Sequence, residues 1–237
     1  MNTLTLPATA PPRIAPSNLE ARLPPRPVIY PESDGEPMAE TEIHILGILA
    51  LIATLIERYR NRPDAYVIGN MFLYYEEGDP TARVAPDVMV VFGVPKRQRR
   101  TYKLWEEGRA PNAVFEITSR KTRLEDLGTK KALYAEMGVA EYFLFDPEGE
   151  YLRPPLQGFR LKGGEYRPIA PGTDSALTST ELGLILRPEA GHLRLTDAVT
   201  GERLLRPDEV YQARQQAEAE IARLRAELER LKQSGPN

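Results

Sequence analysis

Hydrophobic residues fall in three successive patterns along the chain. Residues 38–60 are apolar on nearly every side, with "ILGILALIATLI" at 45–56, which predicts a helix packed on several faces. Short runs rich in β-branched and aromatic residues then predict four strands. The first is "AYVIGNMFLYYEE" over 65–77, closed by Gly78-Asp79-Pro80; the second is "APDVMVVFGVP" over 85–95, with Pro86 at its start, where a missing N–H does least harm. The third covers 113–118 and the fourth, "AEYFLFDP", covers 140–147. Between these two, Thr122 and Glu125 have capping-box spacing and Gly138 suits the residue after a helix end, so a helix should begin near 122. A strand, a helix and a strand in so short a span form a crossover unit, and the third and fourth strands should pair in parallel.

Beyond Pro147 the pattern predicts two hairpins, one around Gly163-Gly164 and one turning at Thr200-Gly201, which would make a small β layer. From Asp208 onward, Ile221, Leu224, Leu228 and Leu231 recur at alternating spacings of three and four. That stripe suits a coiled coil, although it could also dock on its own domain. The fold class is α/β (α+β): a mixed sheet flanked by helices, with C-terminal β-hairpins and a long amphipathic helix. The expected divisions are a flexible, proline-rich N-terminal arm over 1–37, a main domain over 38–206, and the amphipathic helix over 207–237.

Composition removes several chemistries. The chain has no cysteine, which excludes disulfides, thiolate metal sites and a cysteine nucleophile. With two histidines, His44 and His192, a multi-histidine metal site is excluded as well. Hydrophobic content of 41% and charged content of 27% over 237 residues are ordinary for a soluble protein. The longest apolar run is shorter than the about 20 residues of a membrane span, and no basic-then-apolar leader is visible, so a cytoplasmic location is expected. The net charge of −3 does not advertise nucleic-acid binding, but its distribution is uneven. "PKRQRRTYK" gathers Lys96, Arg97, Arg99, Arg100 and Lys103, and Arg120, Lys121 and Arg123 follow.

Two carboxylates stand in strands that otherwise shun charge. Asp87 lies near the start of the second strand and Glu116 in the middle of "VFEITSR". If the strands are neighbours, the two acids can converge at one end of the sheet. Hard oxygen ligands so placed suit Mg²⁺ or Mn²⁺; without a cation they repel, and one takes up a proton. Lys130, about two turns into the following helix, can project back toward them. Each residue also has an ordinary reading. Asp87 could cap a turn, Glu116 could pair with an arginine, and Lys130 stands four residues from Asp126, a surface pair worth about 0.2–0.5 kcal/mol. Lys131 is expected in solvent. Glu42 and His44 are weaker site candidates, since a solvated helix start accounts for both.

Taken together, "APDVMVVF", "VFEITSR" and "DLGTKKALYAEMGVAEYFLFDP" resemble the Uma-type endonuclease family of the PD-(D/E)XK nuclease superfamily. The resemblance implies a restriction-endonuclease-like fold, a Mg or Mn cofactor, and hydrolysis of DNA phosphodiesters. In it, Pro86-Asp87 matches the first acid, Glu116 the second, and the Ile117 carbonyl a further metal ligand. The superfamily's lysine two places after the glutamate is replaced here by Thr118. Lys130, in Lys130-x-x-x-Tyr134, matches the family's substitute on the next helix. The basic segment from Lys96 to Lys103 is expected to grip phosphates rather than bases. A homodimer through the C-terminal helix is expected, with no membrane partner. The alternative is a catalytically inactive nuclease-like scaffold that serves as a dimeric binding module.

Overall fold

The computed structural model describes residues 27–233 apart from Asp34 and residues 36–40. Helix α1 (Glu42–Arg58) precedes strand β1 (Ala65–Ile68); β2 (Leu73–Tyr74), β3 (Arg83–Val84), β4 (Val88–Phe92) and β5 (Tyr102–Lys103) follow, then the short α2 (Leu104–Glu107). Strand β6 (Ala113–Ile117) leads through α3 (Arg123–Leu127) and α4 (Thr129–Glu136) into β7 (Glu141–Phe145). Then come β8 (Leu156–Lys162), β9 (Glu165–Pro168), β10 (Leu177–Ser179), β11 (Leu184–Glu189), β12 (His192–Asp197) and α5 (Pro207–Gln233). No helix among the described residues is long and apolar enough to cross a membrane.

The main sheet runs β1-β4-β6-β7-β8-β9. As the crossover pattern requires, β6 and β7 are parallel, while their neighbours pair antiparallel. Alternate residues of the central strands serve different cores. Val88, Val90, Phe115 and Ile117 meet Leu51 and Leu55 of α1, together with Leu184 and Leu186 of a second sheet, β10-β11-β12. Met89, Val91 and Val114 meet Tyr134 of α4, and Leu73 and Tyr102 of a third small sheet, β3-β2-β5. A sheet covered on both faces accounts for the near-continuous apolar runs of β4, β6 and β7.

Several elements differ from the hydrophobic pattern. The run at 65–77 is two strands in two sheets. Its break at Gly69 has a steric reason, since a Cβ there would stand 2.0 Å from the Asp87 carbonyl oxygen. The next residue, Asn70, takes φ +52° and donates its N–H to the Pro86 carbonyl at 2.8 Å. Helix α1 is not packed all round, because the sheet covers one side only: Leu51 and Leu55 are buried, whereas Ile43, Leu46, Leu49 and Ile56 are exposed. The capping box at Thr122 does not form. The Thr122 hydroxyl instead accepts the Ser119 N–H at 3.1 Å, and Gly128 splits the predicted helix into α3 and α4.

The Gly163-Gly164 hairpin forms with both glycines at positive φ, as a type I′ turn needs, but it extends the main sheet instead of making a separate layer. The predicted hairpin at Thr200-Gly201 shrinks to one bridge, Thr196 to Arg203, because β12 pairs along its length with β11. Most of the expected arm over 1–37, and the expected helix start at 38, lie outside the described residues. Its described part rests on the small sheet: the Tyr74 hydroxyl donates to the Pro31 carbonyl at 2.6 Å, and Tyr30 packs edge-on against Tyr74.

Candidate active site

Strands β4 and β6 run antiparallel with Val88 opposite Phe115, so one further step sets Asp87 opposite Glu116. Both acids therefore belong to the face that carries α4. The Ile117 N–H donates to Asp87 Oδ2 at 2.7 Å, which ties the first acid to the strand of the second. Gly69 and the Asn70–Pro86 bond hold the backbone beside Asp87. Glu116, at 1% exposure, would be a costly burial for a lone carboxylate, and α4 supplies its partners. Lys130 Nζ lies 3.0 Å from Glu116 Oε2, and the Tyr134 hydroxyl donates to Oε1 at 2.6 Å. The spacing of four puts both side chains on one helix face. Lys130 Nζ is also 3.1 Å from Oδ1 of Asp126, a fully buried acid of α3. The ordinary i,i+4 pair and the contact with Glu116 are thus both made, below the surface.

One ammonium faces three carboxylates here, and burial together with that imbalance governs how Glu116 and Asp126 titrate. Burial, then the neighbouring Asp87, push Glu116 up to about 8, with Lys130 opposing. Burial also raises Asp126, again against Lys130. For Lys130 itself burial works against the charge, but Glu116 and Asp126 outweigh it and hold the lysine above its ordinary range. The upward shifts of Glu116 and Lys130 are compatible. A single positive charge cannot balance three negative ones, so the lysine keeps its proton and Glu116, buried and beside Asp87, takes up another. Burial, then Glu116, likewise push the Tyr134 hydroxyl well up, leaving it a neutral donor.

His44 corrects the expectation of a solvated helix start. It is 4% exposed, and from the first turn of α1 its Nε2 reaches round the strand end to within 2.6 Å of the Ile117 carbonyl oxygen and 3.3 Å of Asp87 Oδ2. The sequence held a signal for this: His44, Ile48, Leu51 and Leu55 form one stripe at helical spacing, the stripe that faces the sheet. Glu42 is exposed, as expected.

The sequence model of the Uma2 family, described as "Putative restriction endonuclease", matches residues 19–189, well over half of the chain. The chain belongs to the Uma2 family. Among solved structures it is similar to a crystal structure of "a putative nuclease belonging to DUF820" from Anabaena variabilis ATCC 29413. The identity is 14%, over 62% of this chain and 76% of that one, with a TM-score of 0.46. No curated protein matches the chain. The Uma2 match contains Asp87, Glu116 and Lys130 and ends with β11, so β12 and α5 lie outside it.

The basic segment of this Uma2 chain is not at the carboxylates. It follows the far end of β4 from Asp87, and its charges are engaged within the chain. Arg97 and Arg99 pair with Glu107 at 2.7 and 2.8 Å, Arg100 with Glu32 at 2.6 Å, and Lys103 with Glu106 at 2.8 Å. Lys96 Nζ donates to the Tyr59 and Arg60 carbonyls, and half-buried Arg99, its side chain enclosed, lies 4.2 Å over the Tyr66 ring. By contrast Arg120, Lys121 and Arg123, just beyond Ile117, are exposed and form no ion pair among the described residues. Lys131 is not free in solvent: its Nζ lies 3.5 Å over the Phe159 ring.

Among the described residues no group of three or more His, Asp or Glu side chains is arranged to hold a metal. A Mg²⁺-type site does not need one, because that ion binds through one or two carboxylates and keeps water and substrate oxygens for the rest. Asp87, Glu116 and the Ile117 carbonyl offer such a donor set. The raised titration of Glu116 marks a place short of positive charge, so the residues fit a hard divalent cation.

Proposed function

We propose that this chain is a divalent-cation-dependent endonuclease that hydrolyses DNA phosphodiesters. One observation carries the reading: Asp87 and Glu116 meet on one face of two adjacent strands, and Lys130 is bound to Glu116 at 3.0 Å. Asp87, Glu116 and the Ile117 carbonyl would hold Mg²⁺ or Mn²⁺. Bound there, the cation would supply Lewis-acid stabilisation of charge on the phosphate and leaving oxygens.

The chain's own groups have separable tasks. Lys130 keeps its proton and so serves as a fixed positive charge, not a general base, orienting the attacking water and stabilising the phosphorane-like charge. Tyr134 fixes the Glu116 carboxylate, and Asp126 holds Lys130 from its other side. His44 holds the Ile117 carbonyl and Asp87 at the strand end. Arg120, Lys121 and Arg123 take the phosphate-gripping task first expected of Lys96 to Lys103, since they are exposed, free of ion pairs among the described residues, and close in the chain to Ile117.

The test is cleavage of supercoiled plasmid and of single-stranded DNA with Mg²⁺ or Mn²⁺, comparing wild type with Glu116→Gln. Cation-dependent cleavage that the variant loses while keeping its fold is the expected result. A wild-type protein that cuts neither substrate with either cation would overturn the proposal and leave the inactive scaffold.

A further inference from the structure

We infer that α5 is the interface with a second copy of this chain, and that the two copies pair in parallel and in register as a two-stranded coiled coil. The root of α5 is fixed. Buried Arg194 of β12 holds Glu209, in the first turn, through two hydrogen bonds of 2.7 Å. Beyond it every described position of the 27-residue helix is exposed, including Ile221, Leu224 and Leu228. The alternative of docking on its own domain is therefore not realised. A helix in water draws most of its stability from packing an amphipathic face, and here that face is bare.

The sequence of α5 selects the occupant. In heptad register, Arg214, Ile221 and Leu228 fall at a, and Val210, Ala217 and Leu224 at d. Isoleucine at a with leucine at d favours two parallel strands. The flanking charges decide the direction. Glu220 and Glu227 fall at g, and Arg225 and Lys232 at e. In a parallel pair each g residue faces the e residue five places on in the other helix, so Glu220 meets Arg225 and Glu227 meets Lys232 of the second copy. An antiparallel pair would set acid against acid at g. Within one helix Glu220 pairs with Arg223 at 2.8 Å and Lys232 with Glu229 at 3.0 Å, exposed i,i+3 contacts worth little that can exchange for pairs across the seam. Since α5 is rooted at its N-terminal end, a parallel coil puts both sheets at that same end; if the nuclease reading holds, two carboxylate sites then act side by side.

The test uses charge exchange and light scattering at micromolar concentration, and needs no cleavage, so its failure is distinct from a failure of the nuclease reading. Wild type should show twice the single-chain mass. E220K/E227K and R225E/K232E should each fall twofold to the single-chain mass, and their equimolar mixture should return to twice it. These positions are exposed and distant from the sheet, so both variants should keep the wild-type thermal transition. Direction is read separately by Ala217→Cys, which introduces the only thiol: a symmetric disulfide dimer is expected under mild oxidation. A single-chain mass for wild type, a mixture that stays at single-chain mass, or a cysteine variant that does not cross-link would overturn the inference.

Discussion

Lys130 and Lys131 are adjacent in the chain and differ by about 100° in direction round the helix, which is enough to give them unrelated lives. The first is held between Glu116 and Asp126; the second lies over Phe159. Lys130→Ala should lower cleavage by about 10²–10³, the usual loss for one preorganised stabiliser, while leaving the fold intact. Lys131→Ala should leave the cleavage rate unchanged and cost only the cation–π interaction, about 0.5–1 kcal/mol, seen as a small drop in Tm. Full activity in Lys130→Ala would move the role elsewhere. A second expectation concerns Glu116, whose pKa rises from 4.5 to about 8 on folding. A carboxyl raised in the folded state contributes stability that is present below 4.5 and lost as pH climbs through about 8. The cation-free protein should therefore lose stability between those values, Mg²⁺ should restore it at the alkaline end, and Glu116→Gln should flatten the profile. Thermal unfolding with EDTA and with Mg²⁺ checks this; stability that rises with pH in EDTA contradicts it. That Asp87, Glu116 and Lys130 come together could be expected from the sequence: two acids stood in apolar strands, and the family resemblance, more than helix position, singled out Lys130. His44 was harder to read, since its partners lie across the fold at Asp87 and Ile117.

The elements show where local pattern gives way to tertiary contact. Thr122 and Glu125 have capping-box spacing, yet the hydroxyl is taken by the N–H of Ser119, a rival only three residues upstream. The run 65–77 reads as one strand because its composition is uniform; it divides because Gly69 passes against the Asp87 carbonyl, a contact between elements remote in sequence. Gly69→Ala should displace one of the two backbones and so carry a double effect: about 1–3 kcal/mol of destabilisation from overpacking, and a cleavage defect larger than lost folding explains, because Asp87 moves. Melting and cleavage measured on the same preparation separate the two. The connection from β6 to α3 carries another expectation. Arg120, Lys121 and Arg123 changed together to Ala should flatten the salt dependence of DNA binding, by up to about 0.9 in slope for each phosphate no longer neutralised. The same change at Arg97, Arg99 and Arg100 should leave that slope alone and lower stability, because Arg99 is built into the fold through Glu107 and Tyr66. Equal slopes for the first triple variant and wild type would show that its three cations merely face solvent. The basic run stands out as sequence because charge density is visible there, whereas Glu107 and Glu32, which pair with three of its arginines, are brought to it only by the fold.

At the scale of the molecule, the crossover unit and the order of its strands were legible, since β6, α4 and β7 follow one another closely. The placement of β10-β11-β12 against α1 was not, because it rests on long-range pairing of short strands with weak local signals. The fate of α5 was open for a related reason. A stripe of Ile221, Leu224 and Leu228 states that the helix wants a partner, and only the exposed surface of the folded chain excludes its own domain. This bears on how the molecule would cut. Two carboxylate sites carried at one end of a parallel coil can engage the two strands of a duplex within one encounter, whereas a single site must release and rebind. Ile221→Asp places a charge at an a position, which is harmless in a free, exposed helix but cannot be buried unpaired between two. The variant should fold, run at the single-chain mass, and keep its cleavage of short single-stranded DNA. On supercoiled plasmid the wild type should pass quickly to the linear form, while Ile221→Asp should accumulate nicked circles first and yield linear product late. The time course on an agarose gel reads both species together. Identical courses for wild type and for a variant confirmed at single-chain mass would mean that each site works alone, whatever α5 does.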